Sequence, residues 1–387
     1  MGKWNMFDWL NKREEEKKEI RYILSIDGGG MRGVVPAYLL SKLNKKLKEY
    51  SDRPLYSYFD LIAGTSTGAL LALGLSLNNS NSSFKLEAGA DYPLYETRKY
   101  KKLFKVHSEQ VLKGYIKKST DPDALVSLYK ENGCKIFHQP SHFKKILGNV
   151  FSDKYDASSL ESFMNEIYGD TPLSDALVPT MATAFEPLTS KPYVFTSWDS
   201  HGFLIKEAAR ASSAAPTFFS PITLIDRETT ETITLVDGGL YANNPILAAY
   251  NEARKLYPNA DEFRVISLST CAVSSSFNAS EAGGGISAWI SSLWKSYASG
   301  TMEFADSLAQ NIKDLKYLRI WDNVVKKKFS LDDYSDEAVT TLLNAAEILY
   351  QNKKDEIESF LEDLVNNANN DVIKFTEGKK EPLLIEN

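Results

Sequence analysis

The chain has 387 residues, 43% of them hydrophobic and 25% charged, so it can bury a sizeable core as one large domain or two ordinary ones. Its formal net charge of −6 argues against a nucleic-acid polymer as partner, because such binders carry a basic footprint. Two cysteines, Cys134 and Cys271, without metal-type spacing, exclude a disulfide framework and point to a reducing compartment.

Residues 1–20 read as an amphipathic, charged extension. MGKWNMFDWLNKREEEKKE lacks the apolar core of a secretory signal. Met6 stands where a myristoylation signal needs Ser or Thr. Trp4, Phe7, Trp9 and Leu10 suit a packed or frayed helix, or else a membrane interface. From Arg21 onward short apolar strands alternate with helices. Tyr22–Ile26 reads as a buried strand, DGGGMRG as a loop, and Leu39, Leu40, Leu43 and Leu47 recur at helical spacing. Phe59–Ala63 is a second strand and Ala69–Leu77 a helix. Residues 78–120 read as an insertion. Within it, Lys85–Lys118 holds nine basic against four acidic residues with tyrosines interleaved. A solvated helical face is the default reading there, and an anion-facing surface the sharper one. Further strands are expected at Pro179–Phe185, Tyr193–Thr196, Thr232–Val236 and Arg264–Leu268. Helices are expected at Ile205–Ala211, Pro245–Tyr257, Ala288–Leu315 and Asp336–Leu364. Residues 21–366 thus form one α/β domain around a largely parallel sheet, and 367–387 a polar tail.

Gly64-Thr65-Ser66-Thr67-Gly68 matches G-x-S-x-G, between the strand FDLIA and the helix ALLALGLSL. In that setting a serine is held on a sharp strand-to-helix turn, and its hydroxyl sits near a helix N-terminus that favours negative charge. The stretch is nearly apolar enough for a membrane span, but its cluster of Gly and Thr sits where a spanning helix would have to continue. Asp27-Gly28-Gly29-Gly30-Met31-Arg32-Gly33 resembles a dinucleotide fingerprint, yet no acidic residue follows where a ribose would need one. Such a turn can instead aim backbone N–H groups at an oxyanion. Arg32 could add charge there or anchor the loop in an ion pair. None of His107, His138, His142 and His201 has the context of a catalytic base. Asp237 ends the apolar strand ITLV before Gly238-Gly239, so it is expected at a carboxyl end, where α/β sites form. With an unperturbed pKa of about 3.9, it would be a weak base.

SIDGGGMRG, YFDLIAGTSTGA, ARASSAAPTFFSP and VDGGLYANNP, in this order, resemble the patatin-like phospholipase family. The resemblance implies a three-layer α/β fold related to cytosolic phospholipase A2, with a mostly parallel central sheet flanked by helices. It implies Ser66 as nucleophile and Asp237 as general base. Gly28, Gly29 and Gly30 would supply oxyanion N–H groups with Arg32 beside them, and Gly33, Gly64, Gly68, Gly238 and Gly239 would support the motifs. The implied activity is a lipid acyl hydrolase of phospholipase A type, acting on membrane phospholipid esters through an acyl-enzyme, without cofactor or metal. The expected partner is a phospholipid surface, with a small-molecule activator as a candidate. The expected location is the cytoplasm with peripheral membrane association, since plant members carry a secretion signal and this chain looks like a bacterial or other intracellular member. Two alternatives stand beside this: a phospholipase effector switched on by a cyclic nucleotide in antiphage defence, and a non-catalytic lipid-binding or storage protein. Ser267-Leu268-Ser269-Thr270-Cys271 departs from the family's glycine-rich turn.

Overall fold

The structure is a computed structural model that describes residues 18–78, 92–102, 105–117, 119–136, 155–216, 218–271, 286–325 and 329–367. Most of the N-terminal extension, the start of the insertion and nearly all of the tail lie outside these residues. The elements in chain order are β1 (Ile20–Ile26), α1 (Val34–Leu47), β2 (Leu61–Thr65), α2 (Thr67–Leu75), β3 (Tyr92–Lys102), β4 (Lys105–Ile116), α3 (Pro122–Ile136) and α4 (Ala157–Tyr168). There follow β5 (Thr180–Glu186), β6 (Lys191–Thr196), α5 (Ile205–Ser212), β7 (Ile222–Ile225), β8 (Thr232–Asp237), α6 (Gly239–Ala242) and α7 (Ile246–Leu256). The chain continues through β9 (Glu262–Leu268), α8 (Ile286–Ala309), β10 (Leu315–Ile320), α9 (Asp336–Asn352) and α10 (Lys354–Asn367).

The central sheet runs β10-β9-β1-β2-β5-β8-β7, with β6 also on β5. From β10 to β5 every pairing is parallel, so these strands need cover on both faces. Period-two alternation sorts their side chains. Tyr22, Leu24 and Ile26 of β1 join one core with α1, α2, α3, α4, α5, α9 and α10. Ile23 joins Leu61, Ala63, Phe263 and Val265 in a second core with α7 and α8. The result is the expected three-layer α/β arrangement with a mostly parallel sheet.

One junction in this sheet places the candidate site. β5 has two edges, and β6 occupies one of them from Met181 to Glu186. β2 occupies the other as far as Thr65, which lies opposite Thr183. β8 pairs with Ala184 and Phe185, the next residues on the edge that β2 has just left, and it runs antiparallel. β2 and β8 therefore meet end to end on one edge of β5. Ser66 follows the last residue of β2, and Asp237 is the last residue of β8.

Three expectations need correcting. The basic segment is not helical: β3 and β4 form an antiparallel two-stranded ribbon. Charge alone does not report the period of a segment, and its Tyr, Thr and Val content favours strands. The ribbon is tied to the domain at its base, where Ser51 Oγ donates to Tyr92 Oη at 3.0 Å and Tyr56 Oη donates to the Lys117 carbonyl at 2.7 Å. The helix expected to reach Leu315 ends at Ala309, and Leu315 instead begins the edge strand β10. The last long helix is two helices, α9 and α10, separated at Lys353. Among the described residues, no helix is long and apolar enough to cross a membrane.

Candidate active site

β2 runs two residues further than its apolar pattern suggests, and α2 starts two residues earlier. The turn between them is one residue, Ser66, at φ 53 and ψ −122. A non-glycine residue there stores roughly 1–3 kcal/mol of strain, held by its surroundings. From Leu61 to Leu77 every residue is buried except Ser66. Its backbone N–H donates to Ser212 Oγ at 2.8 Å, which leaves the half-exposed hydroxyl to point elsewhere. Glycine is required on both sides by close approach. A Cβ at Gly64 would run into the Gly68 backbone, and one at Gly68 would lie 2.6 Å from the Asp27 carbonyl oxygen and 2.7 Å from the carbonyl carbon of Ile26. Gly68→Ala is therefore expected to push α2 off the end of β1 and to cost about 1–3 kcal/mol of stability, read from urea unfolding. Behind the turn, Tyr129 Oη contacts Thr67 Oγ1 and donates to the Thr67 carbonyl at 3.2 Å.

Asp237 is 3% exposed. Burial pushes its pKa up to about 7, against the N–H of Gly239 and the hydroxyl of Ser66, whose hydrogen bonds favour the ionised form. The Gly239 N–H lies 2.7 Å from Asp237 Oδ1. The expectation of a weak base near its unperturbed value thus gives way to a group poised near neutrality. The expected location is right for a different reason. A strand antiparallel to its neighbours normally ends at the opposite edge of the sheet. β8 enters from beyond the carboxyl edge and stops after two pairs, so Asp237 stays at the site. The end of β2 is tied to β5 and α6 by a hydroxyl: Thr65 Oγ1 donates to the Ala242 carbonyl at 2.5 Å and lies 2.7 Å from Thr183 Oγ1.

The glycine loop follows β1, beside the elbow. A Cβ on Gly28 would lie 3.3 Å from Ser66 Cβ. The Gly28 N–H, however, is already committed to the Asn243 carbonyl at 2.9 Å. Gly28 is thus a joint between this loop and the segment after Asp237, not a spare donor. Met31 N–H is likewise spent, on the Leu331 carbonyl at 2.7 Å. Between them, the N–H groups of Gly29 and Gly30 have no backbone partner among the described residues. Gly30 sits at φ +59, a conformation that favours glycine. Arg32 makes no ion pair with a described residue. Its Nε donates to the Gly29 carbonyl at 3.4 Å, and burial lowers its pKa to about 10. Arg32 therefore braces the loop.

Sequence reasoning missed three contributors: Ser212, Asn243 and Arg319. Ser212 lies in ASSAAP, which read only as small-residue packing. Asn243 reaches the site through its main-chain carbonyl, which accepts from the Gly28 N–H, and through its side chain, whose Nδ2 donates to the Gly28 carbonyl at 3.4 Å; in the sequence it reads only as a residue before a helix N-terminus. Arg319 lies on the unrecognised strand β10 and pairs with Asp27. The departing turn at 267–271 still serves the site: Thr270 Oγ1 donates to the Gly28 carbonyl at 2.9 Å, while Cys271 takes φ 51, a region that favours glycine.

His138 and His142 lie outside the described residues, and His107 is on β4. His201 lies with Asp199, Asp226 and Glu228. It lines a cleft of about 740 Å³ whose lining includes neither Ser66 nor Asp237. Asp199, His201 and Glu228 bring their donor atoms within 4.8 Å of one another. Partly exposed carboxylates gather in this way without an ion, so the trio does not define a metal site.

The fold and site together define an α/β protein with a serine on a strained strand-to-helix turn, beside a buried aspartate and a glycine loop. A family profile described as patatin-like phospholipase matches residues 24–250; the chain belongs to the patatin-like phospholipase family. It is 33% identical over 254 residues to patatin-like protein 2 of rice, Oryza sativa subsp. indica, covering 62% of this chain and 54% of that protein. It is 28% identical over 382 residues to patatin-T5 of potato, Solanum tuberosum, covering 89% of this chain and 88% of the relative. It is also 26% identical over 363 residues to a potato protein named "Probable inactive patatin-3-Kuras 1", covering 86% of each. The chain spans about half the length of the rice relative. The profile match stops before β9, α8 and β10.

Proposed function

We propose that the protein is a lipid acyl hydrolase that cleaves fatty-acyl esters of phospholipids through Ser66 and Asp237. One observation carries this reading: a partly exposed serine in a strained turn beside a buried aspartate whose pKa burial pushes up to about 7. In this mechanism Ser66 Oγ attacks the acyl carbonyl carbon, and Asp237 accepts the hydroxyl proton. The carbonyl electron pair moves onto oxygen, where the N–H groups of Gly29 and Gly30 stabilise it. Collapse of the tetrahedral intermediate expels the lysophospholipid alkoxide, which takes the proton from Asp237. Water, deprotonated by Asp237, then attacks the acyl-enzyme. A second collapse releases the fatty acid and returns the proton to Ser66. The substrate in this reading comes from a phospholipid surface, which the protein would meet as a peripheral visitor.

The test uses purified protein with phosphatidylcholine, phosphatidylethanolamine and phosphatidylglycerol vesicles, with and without cyclic nucleotides, alongside a fluorophosphonate probe. Fatty acid and lysophospholipid are expected in equal amounts, with the probe mapped to Ser66 by mass spectrometry. No release and no labelled Ser66 under any of these conditions would leave the lipid-binding reading standing.

A further inference from the structure

The glycine loop is gripped from residues far downstream of it. Asp27, fully buried at the end of β1, meets Arg319 of β10 in a two-point contact. Arg319 Nη2 lies 2.5 Å from Asp27 Oδ2, and Nη1 lies 2.9 Å from Oδ1. Arg319 is itself fixed: Nη1 also donates to Ser267 Oγ at 2.8 Å, and Nε lies 3.7 Å from Asp306 Oδ1. One residue on, the Gly28 peptide is held on both sides, by Asn243 and by Thr270. At the far end, Leu331 takes the Met31 N–H. Apart from Arg32, which holds the Gly29 carbonyl, these holds flank Gly29 and Gly30, whose N–H groups have no partner among the described residues.

The charge at Asp27 bears on the same two donors. A bare carboxylate in this dry position would oppose the negative charge that develops on a substrate oxygen beside the loop. Burial favours the neutral form of Asp27, and the Arg319 guanidinium draws it back toward the ionised form. A planar fork with two parallel contacts also fixes the carboxylate plane, which a lysine cannot do.

We propose that Arg319 is a positioning residue for acyl transfer: through Asp27 it aims the Gly29 and Gly30 N–H groups at the acyl oxygen and cancels a carboxylate that would repel the oxyanion. Arg319 touches no reacting atom. The proposal rests on Ser66 acting as the nucleophile, so its test must separate the two.

The experiment measures kcat and KM on phosphatidylcholine in mixed micelles and the inhibition constant of a phospholipid trifluoromethyl ketone. That ketone forms a hemiketal oxyanion with the nucleophilic serine and so reports the donors directly. Arg319→Met is expected to lower kcat at least 30-fold, leave KM within twofold and weaken the ketone in parallel. Arg319→Lys, which keeps the charge but not the fork, is expected to fall between. The double variant Asp27→Asn with Arg319→Met is expected to recover part of the loss, because the unpaired carboxylate is gone. A folded Arg319→Met with the wild-type kcat would overturn the proposal, as would a fall in kcat with ketone affinity unchanged. If Arg319→Met does not fold, Arg319→Lys decides: kcat and ketone affinity must fall together with KM held, or the proposal fails. Wild-type protein that a fluorophosphonate does not label at Ser66 overturns the hydrolase reading. Wild-type protein that labels and turns over, with variants indistinguishable from it, overturns only the role of Arg319.

Discussion

Ser66→Ala is expected to lower fatty-acid release by roughly 10³- to 10⁶-fold, the range seen when a serine nucleophile is removed, while the protein stays folded. The second half of that expectation follows from the geometry. The backbone N–H of Ser66 that holds the turn to Ser212 is untouched by the change. Alanine also carries the same strain as serine at φ 53, so the turn costs no more than before. Ser66 is the one partly exposed residue between Leu61 and Leu77, so losing its hydroxyl opens no cavity in the core. The check is a turnover assay beside a thermal melt. Wild-type turnover by Ser66→Ala would sink the mechanism, whereas a shift of more than about 5 °C in the melt would show that the hydroxyl also supports the fold.

Asp237→Asn separates function from stability through pH. The native pKa, raised to about 7, lies well above the ordinary value of about 3.9. Protonated Asp237 is therefore favoured in the folded state. The stability it confers is fully present below about pH 4 and is lost as pH rises through about 7. Holding the acid that far above its ordinary value corresponds to about 4 kcal/mol. Above pH 7 the wild-type protein thus keeps an ionised carboxylate buried at that cost, and under the proposed mechanism the same shift places the base near its working range. Two results are expected. Wild-type activity climbs with pH and levels off above about 7, while Asp237→Asn loses roughly 10²- to 10⁴-fold and shows no such rise. In urea unfolding the variant is more stable than wild type at pH 8 by a few kcal/mol, and the gap closes toward pH 4. A variant of equal or lower stability at pH 8 would show that burial does not perturb Asp237 as described.

The central strands were legible because each is a short apolar run, and burial on both faces of a parallel sheet demands such a run. β10 was not. In LKYLRI only the end residues Leu315 and Ile320 are buried, so it shows no continuous apolar run and its pattern merges with the helix before it. The ribbon of β3 and β4 was misread for a related reason. Its charges dominate the composition, and hydrophobic periodicity, the usual cue to element type, is weak in it. The helix over 336–364 was right in type, but its break at Lys353 carries no proline or glycine to announce it.

At the site, the sequence by itself determined the local chemistry: a serine between close-packed glycines, an aspartate ending an apolar strand, and a glycine loop after β1. Those are properties of a few neighbouring residues, set by sterics and backbone preference. The tertiary structure alone decided which groups act together. It brought β2 and β8 end to end on one edge of β5, buried Asp237 and so raised its pKa, and committed the Gly28 N–H to Asn243. It also paired Asp27 with Arg319, 292 positions away. Strand edges, burial and hydrogen-bond partners are shared between distant segments, so no local stretch encodes them.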